Sequence, residues 1–383
     1  MGSKVVTKRL CELGTVVGGA TPSTKVDENW NGEIPWLSPR DLTGYSYRYI
    51  SRGEKNITQK GYDSCSTKLL PMGSILFSSR APIGYVAIAA NPVCTNQGFK
   101  SLVPNEGVSS LYLYYLLKYG RDKIEALGSG TTFKEVSGSV MKNVELPVLA
   151  DVEQQEQAAF VLDSIDSKIE LNNRINGYLA EMAETIAAKY CEQGSIRLRD
   201  ICHQVVERVD CEEAELGAYV STESLLQDKK GRQPAASLPA TGKVTRFVVG
   251  DTLISNIRPY FKKVWYASFD GTCSSDVLVL RANAANDAPY IHACLRQDSF
   301  FGHVMRGAKG TKMPRGDKKQ MMEFCIAPTC EPGDLSVLSA SLKQISLNDA
   351  ESARLAALRD YLLPKLMSGE IDVSQIDKLT LSS

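Results

Sequence analysis

The 383-residue chain reads as an α+β protein: two globular units separated by two long helices that pair with one another (a coiled coil), with one unit-plus-helix motif used twice as an internal pseudo-twofold repeat. Three observations lead there. Residues 151–190 hold no Pro and a single Gly, Gly177, and set Leu162, Ile165, Ile169, Ile175, Leu179, Met182 and Ile186 at steps of three and four, the spacing of one helix face. A helix of that length is a rod of roughly 60 Å, too narrow to be a domain, so it needs a partner. Residues 345–366 supply one, aligning without a gap beneath residues 169–190. Ile169, Asn172, Leu179, Met182 and Ile186 then correspond to Ile345, Asn348, Leu355, Leu358 and Leu362, while Leu338 and Leu342 extend the second seam upstream. The segments between the helices repeat as well, Gly73 matching Gly250 and Leu76 matching Leu253 at one common offset.

The elements follow in order. The first unit, residues 1–150, opens with Gly- and Pro-marked turns and IPWLSP, a short strand leaving a loop. Tyr45, Tyr47 and Tyr49 alternate along SYRYI, either as a half-buried strand or as a surface that meets a groove. PMGSILFSSRAPIGYV then gives a Gly turn, an apolar strand, small polar residues, Arg80 and Pro82, and an aromatic strand leading to Cys94. A Gly-rich polar loop and a strand close the unit. The first helix, residues 151–193, can be capped by Asp151 with Gln154 three residues on, and Gly194 ends it.

The second unit, residues 194–331, repeats the pattern in VGDTLISNIRPYFKKV, with Arg258 set beneath Arg80 by a one-residue gap, and in Cys273. Its opening lacks an IPWLSP-like strand, and the polar, Gly/Pro-rich residues 227–242 read as a mobile loop. The second helix takes residues 332–370 and a tail residues 371–383. Asn172 and Asn348 fall inside the two seams, where a polar residue fixes register at some cost in stability. The competing reading is two unrelated amphipathic helices in separate cores.

Composition describes an ordinary globular protein, 43% hydrophobic and 23% charged. No apolar run approaches a membrane span, and MGSKVVTKRLCELG has no signal-peptide core. Ten cysteines without a C-x-x-C pair, beside three histidines, support neither a zinc site nor a disulfide framework, so a reducing cytoplasm is expected. The net charge of zero hides a segregation. Residues 151–190 carry eight acidic against three basic residues, residues 243–263 five basic against one acidic, and residues 306–319 six basic against one acidic. Basic globular segments and an acidic rod suit globular parts that meet phosphates and a rod that meets something else.

The succession TPST…IPWLSPRDL, GSILFSSRAPIGYVAIA…CTNQGF, GSGTTF…LPVL, EQQEQAAFVLDSIDSKI and LRDYLLPKLMSGEI resembles the DNA-specificity subunit of type I restriction-modification systems, over essentially the whole chain. The resemblance implies that each globular unit is a target-recognition domain reading one half of a split site on double-stranded DNA. It implies that the antiparallel helices hold the domains apart and dock modification (methyltransferase) subunits, two of them on a twofold repeat, with a restriction (helicase-nuclease) subunit joining through the complex. The chain itself is then non-catalytic. S-adenosylmethionine, ATP and Mg are expected on the partner subunits, with no cofactor, metal or membrane partner for this chain.

Arg is the commonest base reader and Asn or Gln reads adenine. The DNA-binding candidates in loops and strand ends are Arg40, Ser79, Arg80, Asn96, Gln97, Thr131, Thr132 and Lys134 in the first unit. In the second they are Asn256, Arg258, Tyr260, Lys262, Lys263, Lys309, Thr311, Lys312, Arg315 and Lys318. Lys309, Lys312 and Lys318 are expected to act mainly on phosphates. Two other classes compete: a stand-alone DNA methyltransferase or nuclease, and a coiled-coil adaptor that binds only protein. For the first, Asn91-Pro92-Val93-Cys94 lacks the second Pro and the aromatic of a methyltransferase tetrapeptide, nothing marks Asp270 and Asp276 as a metal site, and there is no P-loop.

Overall fold

The computed structural model describes residues 3–80, 82–130 and 134–374. The chain divides into two compact units, Met1–Leu171 with Glu351–Ser383, and Asn172–Ala350. In the first, the strands are β1 (Val5–Arg9), β2 (Gly14–Gly18), β3 (Trp30–Leu37), β4 (Tyr49–Ile50), β5 (Lys55–Ile57), β6 (Ile75–Phe77), β7 (Val86–Ala89), β8 (Cys94–Thr95), β9 (Lys100–Pro104) and β10 (Glu145–Leu149). They form a five-stranded sheet ordered β2-β9-β6-β7-β4, a three-stranded sheet β5-β3-β8 and the pair β1-β10. Strand β6 is central and covered on both faces, which is why ILF shows no polar alternation. Ile75 and Phe77 enter a core with the helix Ser110–Tyr119, while Leu76 enters a second core with Leu37, Val93 and Phe99.

The second unit holds β11 (Ile196–Arg197), β12 (Cys202–Gln204), β13 (Arg208–Asp210), β14 (Tyr219–Val220), β15 (Lys243–Phe247), β16 (Thr252–Ser255), β17 (Val264–Tyr266), β18 (Gly271–Cys273), β19 (Val277–Ala282) and β20 (Cys325–Ile326). Their sheets are β12-β19-β16-β17, β13-β15-β18-β14 and the pair β11-β20. Strand β16 is again central, with Leu253 and Ile254 in different cores. Gly73 and Gly250, just before β6 and β16, hold φ of 85° and 94°, a range in which a Cβ is strained; the shared Gly is a turn requirement.

The strand missing from the second opening is present. Tyr219–Val220 runs parallel to β18 with Val220 opposite Cys273, as Trp36 and Leu37 run parallel to β8 opposite Cys94 and Thr95. The sequence GAYVS fills the place of PWLS with no Trp or Pro to mark it. Residues 227–242 are also not the free loop expected. Lys229 is ion-paired to Glu184, Arg232 stacks on Phe269 at 4.4 Å, and Gln233 N donates to Ser224 O at 2.8 Å.

The long helices are Val152–Glu192 and Pro332–Met367. Asp151 accepts from Glu153 N at 2.9 Å at the start of the first. In each unit they lie side by side and antiparallel. Asp166 meets Arg359 and Lys168 meets Glu351 in the first unit; Asn172 and Asn176 meet Asn348, and Tyr190 meets Asp334, in the second. Leu162, Asn172, Leu338, Leu342 and Asn348 are buried, and Ile165, Ile169, Leu179, Ile186, Ile345, Leu355 and Leu362 half-buried. Met182 and Leu358 correct the expected seam, for both are exposed. The inner face passes through Ala183 and Ala187 instead, and on the partner helix through Arg359, one residue beyond Leu358.

Candidate nucleic-acid interface

In the first unit the chain leaving β6 is pinned between two loops. Ser79 N donates to Gly98 O at 2.7 Å, and Val136 N donates to Ser79 O at 2.9 Å. Arg80 then lies opposite Glu135 as a bridge partner, its Nε 2.8 Å from Oε2, while Lys100 Nζ is 3.3 Å from Oε1. Burial opposes it, but the hydrogen bonds from Arg80 and Lys100 hold the Glu135 carboxyl below its usual value. Gln97 is exposed and its Oε1 accepts from Thr21 at 2.5 Å. Pro39 packs where a Cβ on Gly98 would sit, 2.8 Å away, bringing exposed Arg40 to the same edge. Lys134 is exposed beside Gly128. Arg40, Arg80, Gln97 and Lys134 are thus gathered on one edge. Ser79 departs from the accessible position expected of it: it is fully buried and its Oγ donates to Gly98 O. Asn96 spends its Oδ1 on Gly98 N at 2.8 Å and shapes the turn. Thr131 and Thr132 lie outside the described residues.

The second unit repeats this backbone scheme with other side chains. Asn256 N donates to Asp276 O at 2.8 Å and Gly316 N to Asn256 O at 3.2 Å, with Ile257 opposite Arg315. Asn256 is therefore the counterpart of Ser79, and Ile257, not Arg258, that of Arg80; the gap set between Arg80 and Arg258 was wrong. Arg315, in the place of Glu135, faces the uncharged Ile257 across the bridge and pairs instead with Asp276, the counterpart of Gly98, at 3.1 Å.

Beyond the bridge Arg258 N donates to Pro314 O at 2.8 Å, and the exposed Tyr260 stacks on Phe261 at 4.6 Å. Exposed Lys309, Thr311, Lys312, Arg315 and Lys318 line the adjoining loop, Lys309 paired to Asp317 at 3.1 Å. Asn256 and Lys263 are corrected. Asn256 is buried under Gly316, and Lys263 Nζ turns inward to Thr222 O at 2.6 Å, where burial lowers its ammonium pKa against the pull of Glu223. Lys262 is held by Asp298 at 3.0 Å.

The acidic face of the first long helix is partly used within its own units. Arg48, buried, binds Asp163, Ser167 and Glu170; Asp166 takes Arg359 and Tyr115; Glu184 takes Lys229 and Arg296. The sequence signal for Arg48 was the alternation itself. Tyr45, Tyr47 and Tyr49 face outward, so Arg48 and Ile50 face in. Among the apolar residues left exposed on the long helices, Leu171 with Leu347 and Met182 with Leu358 fall at matched places of the repeat, while Tyr361 in the first unit and Tyr178 in the second are exposed at unmatched ones.

Of the candidate enzyme motifs, Val93 and Cys94 are buried, Asp270 accepts from Val249 N at 2.8 Å, and Asp276 is the Arg315 partner. Among the described residues no helix is long and apolar enough to cross a membrane.

Residues 2–180 match the model of the family described as the type I restriction modification DNA specificity domain. The chain is 48% identical over 178 residues to the specificity subunit of the type I restriction enzyme MjaIX from Methanocaldococcus jannaschii, a match covering 46% of this chain and 41% of that one. It is 30% identical over 190 residues to the EcoR124I/EcoR124II specificity subunit from Escherichia coli, covering 48% and 45%. The chain spans less than half the length of these curated relatives. Its fold is similar, with a TM-score of 0.53 at 15% identity, to the crystal structure of the S subunit of a type I restriction-modification system from M. genitalium, over 95% of this chain and 96% of that one.

Proposed function

We propose that the chain is the DNA-specificity subunit of a type I restriction-modification complex. It acts as a non-catalytic reader in which each unit recognises one half of an asymmetric bipartite site on double-stranded DNA. The observation that carries this reading is the duplicated edge. One backbone scheme, Ser79–Gly98–Val136 and Asn256–Asp276–Gly316, presents exposed cations twice, with different side chains around them. A shared scaffold with unlike side chains is what two readers of unlike sequences need.

The readers proposed are Arg40, Arg80, Gln97 and Lys134 for one half, and Arg258, Tyr260, Thr311 and Arg315 for the other. Lys309, Lys312 and Lys318 neutralise phosphates. The exposed apolar residues on the long helices, of which Leu171 with Leu347 and Met182 with Leu358 recur in both copies, are the docking faces for two methyltransferase subunits, through which a restriction subunit joins. S-adenosylmethionine, ATP and Mg belong to those partners and the complex works in the cytoplasm, in keeping with ten free thiols.

Selection from random duplexes tests the reading, with the full chain co-expressed with a type I methyltransferase subunit. The expected result is one bipartite sequence with a fixed spacer, bound and methylated, and no methylation by the chain with S-adenosylmethionine alone. Sequence-independent binding overturns it.

A further inference from the structure

Five non-glycine residues among those described hold left-handed φ, and four of them meet in the second unit: Asp228 (55°), Lys229 (61°), Arg258 (50°) and Lys262 (49°). A residue with a Cβ is strained there, and the strain persists only where the surroundings over-determine it. Two turns supply the surroundings. Asp228 N donates to Phe261 O at 2.9 Å and Lys229 N to Lys262 O at 3.0 Å, so residues 226–231 and 257–262 are stitched backbone to backbone.

Side chains complete the link. Asp298 takes Lys229 Nζ on one carboxylate oxygen at 3.2 Å and Lys262 Nζ on the other at 3.0 Å. Lys229 Nζ also lies 2.6 Å from Oε2 of Glu184, on the first long helix. Arg296 holds Glu184 Oε1 at 2.9 Å and the Lys229 carbonyl at 3.0 Å, and Gln297 Nε2 donates to the Glu184 carbonyl at 2.6 Å. The side chains of Lys229, Glu184 and Arg296 are 15%, 25% and 12% exposed, so solvent screens the pairs made with Glu184 poorly, whereas Asp298, 66% exposed, is held by two ammonium groups at once.

We propose that the chain Glu184–Lys229–Asp298–Lys262 is a positioning relay that locks the turn 257–262, and with it Arg258 and Tyr260, onto the first long helix in a single reading geometry. The proposal rests on the DNA-reading function and goes beyond it, because it makes Lys229 and Asp298 determinants of specificity although neither is a reader. Among the described residues the first unit has no such device. Its one non-glycine residue of positive φ among those described is Asn31, and its tie to the helix is the separate Arg48 cluster. Cutting the relay therefore acts on one half-site only.

The test uses the full chain, with methyltransferase subunits, on its selected duplex and on two derivatives with one or the other half scrambled. Lys229→Met and Asp298→Asn are each expected to lose roughly tenfold in discrimination at one half, about 1.4 kcal/mol, and nothing at the other. Lys229→Arg restores most of that loss. Discrimination unchanged at both halves, or reduced equally at both, overturns the relay. Hydrogen exchange gives an arm that needs no DNA: Asp298→Asn is expected to speed exchange of the Lys229 and Lys262 amides while β16 stays protected. Unchanged exchange at those two amides overturns the relay even if no DNA sequence is selected, whereas faster exchange beside a wild type that selects none sustains the relay and faults the DNA-reading function alone.

Discussion

Arg48 shows how much one side chain can be asked to do. Its guanidinium and backbone N–H donate to Asp163, Ser167 and Glu170 from a site where the side chain is 7% exposed, joining the segment before β4 to the first long helix. Removing one partner of a buried pair leaves the other charge desolvated and uncompensated. Arg48→Met is therefore expected to lower the stability of the first unit by about 3 kcal/mol in urea unfolding. Arg48→Lys is expected to recover little, because a point charge cannot reproduce a planar fork. Ser79 and Arg80 make the opposite comparison, adjacent in sequence and unlike in role. Ser79→Ala removes one buried hydrogen bond and is expected to cost about 1 kcal/mol of stability with DNA affinity unchanged. Arg80→Ala is expected to leave stability within about 0.5 kcal/mol and to relax base preference at one position of one half-site, by about 1–3 kcal/mol in competition binding.

At the scale of the element, the long helices were legible in period and extent but not in phase. Steps of three and four name a face, yet Met182 and Ala183 both fit such a run, and hydrophobicity alone favours Met. The fold places Ala183 and Ala187 inward, where small side chains meet the core of Leu338 and Tyr290, and leaves Met182 outside. Buried polar residues were legible only where they repeated, as Asn172 and Asn348; Asp166 and Arg359 break the pattern and could not be found from it. The asparagines make a testable case. Asn348 donates to Asn176 at 2.8 Å and accepts from Gln344 at 2.8 Å, so Asn348→Leu alone orphans buried polar groups and is expected to cost about 1–3 kcal/mol. Replacing Asn172, Asn176 and Asn348 together by Leu still strips Asp349 Oδ1 of Asn176 and Gln344 Nε2 of Asn348, so the triple variant is expected to stay less stable than the parent, read by the urea midpoint.

For the whole molecule, the duplication was readable because glycine turns and central strands tolerate little change, as Gly73 with Gly250 and Leu76 with Leu253 show. The reading edges were less so. Their side chains differ between the copies, and an ungapped register, which the bridges Arg80–Glu135 and Ile257–Arg315 demand, pairs an Arg with an Ile. Matching Arg to Arg instead displaces the register by one residue. If two such edges read two half-sites, the uninterrupted long helices are the ruler that sets the spacer, and length is then a design variable. Seven residues inserted into each helix, after Leu171 and after Ala350, add two turns, keep each seam on its face and add roughly 10 Å. At about 3.4 Å per base pair that is roughly three base pairs. Duplexes selected by the lengthened protein are expected to keep both half-sites and to carry a spacer longer by about that amount. An unchanged spacer would show that something other than the helices sets the distance, whereas loss of one half-site with the other retained would show that the inserted turns disturbed a reader rather than the ruler.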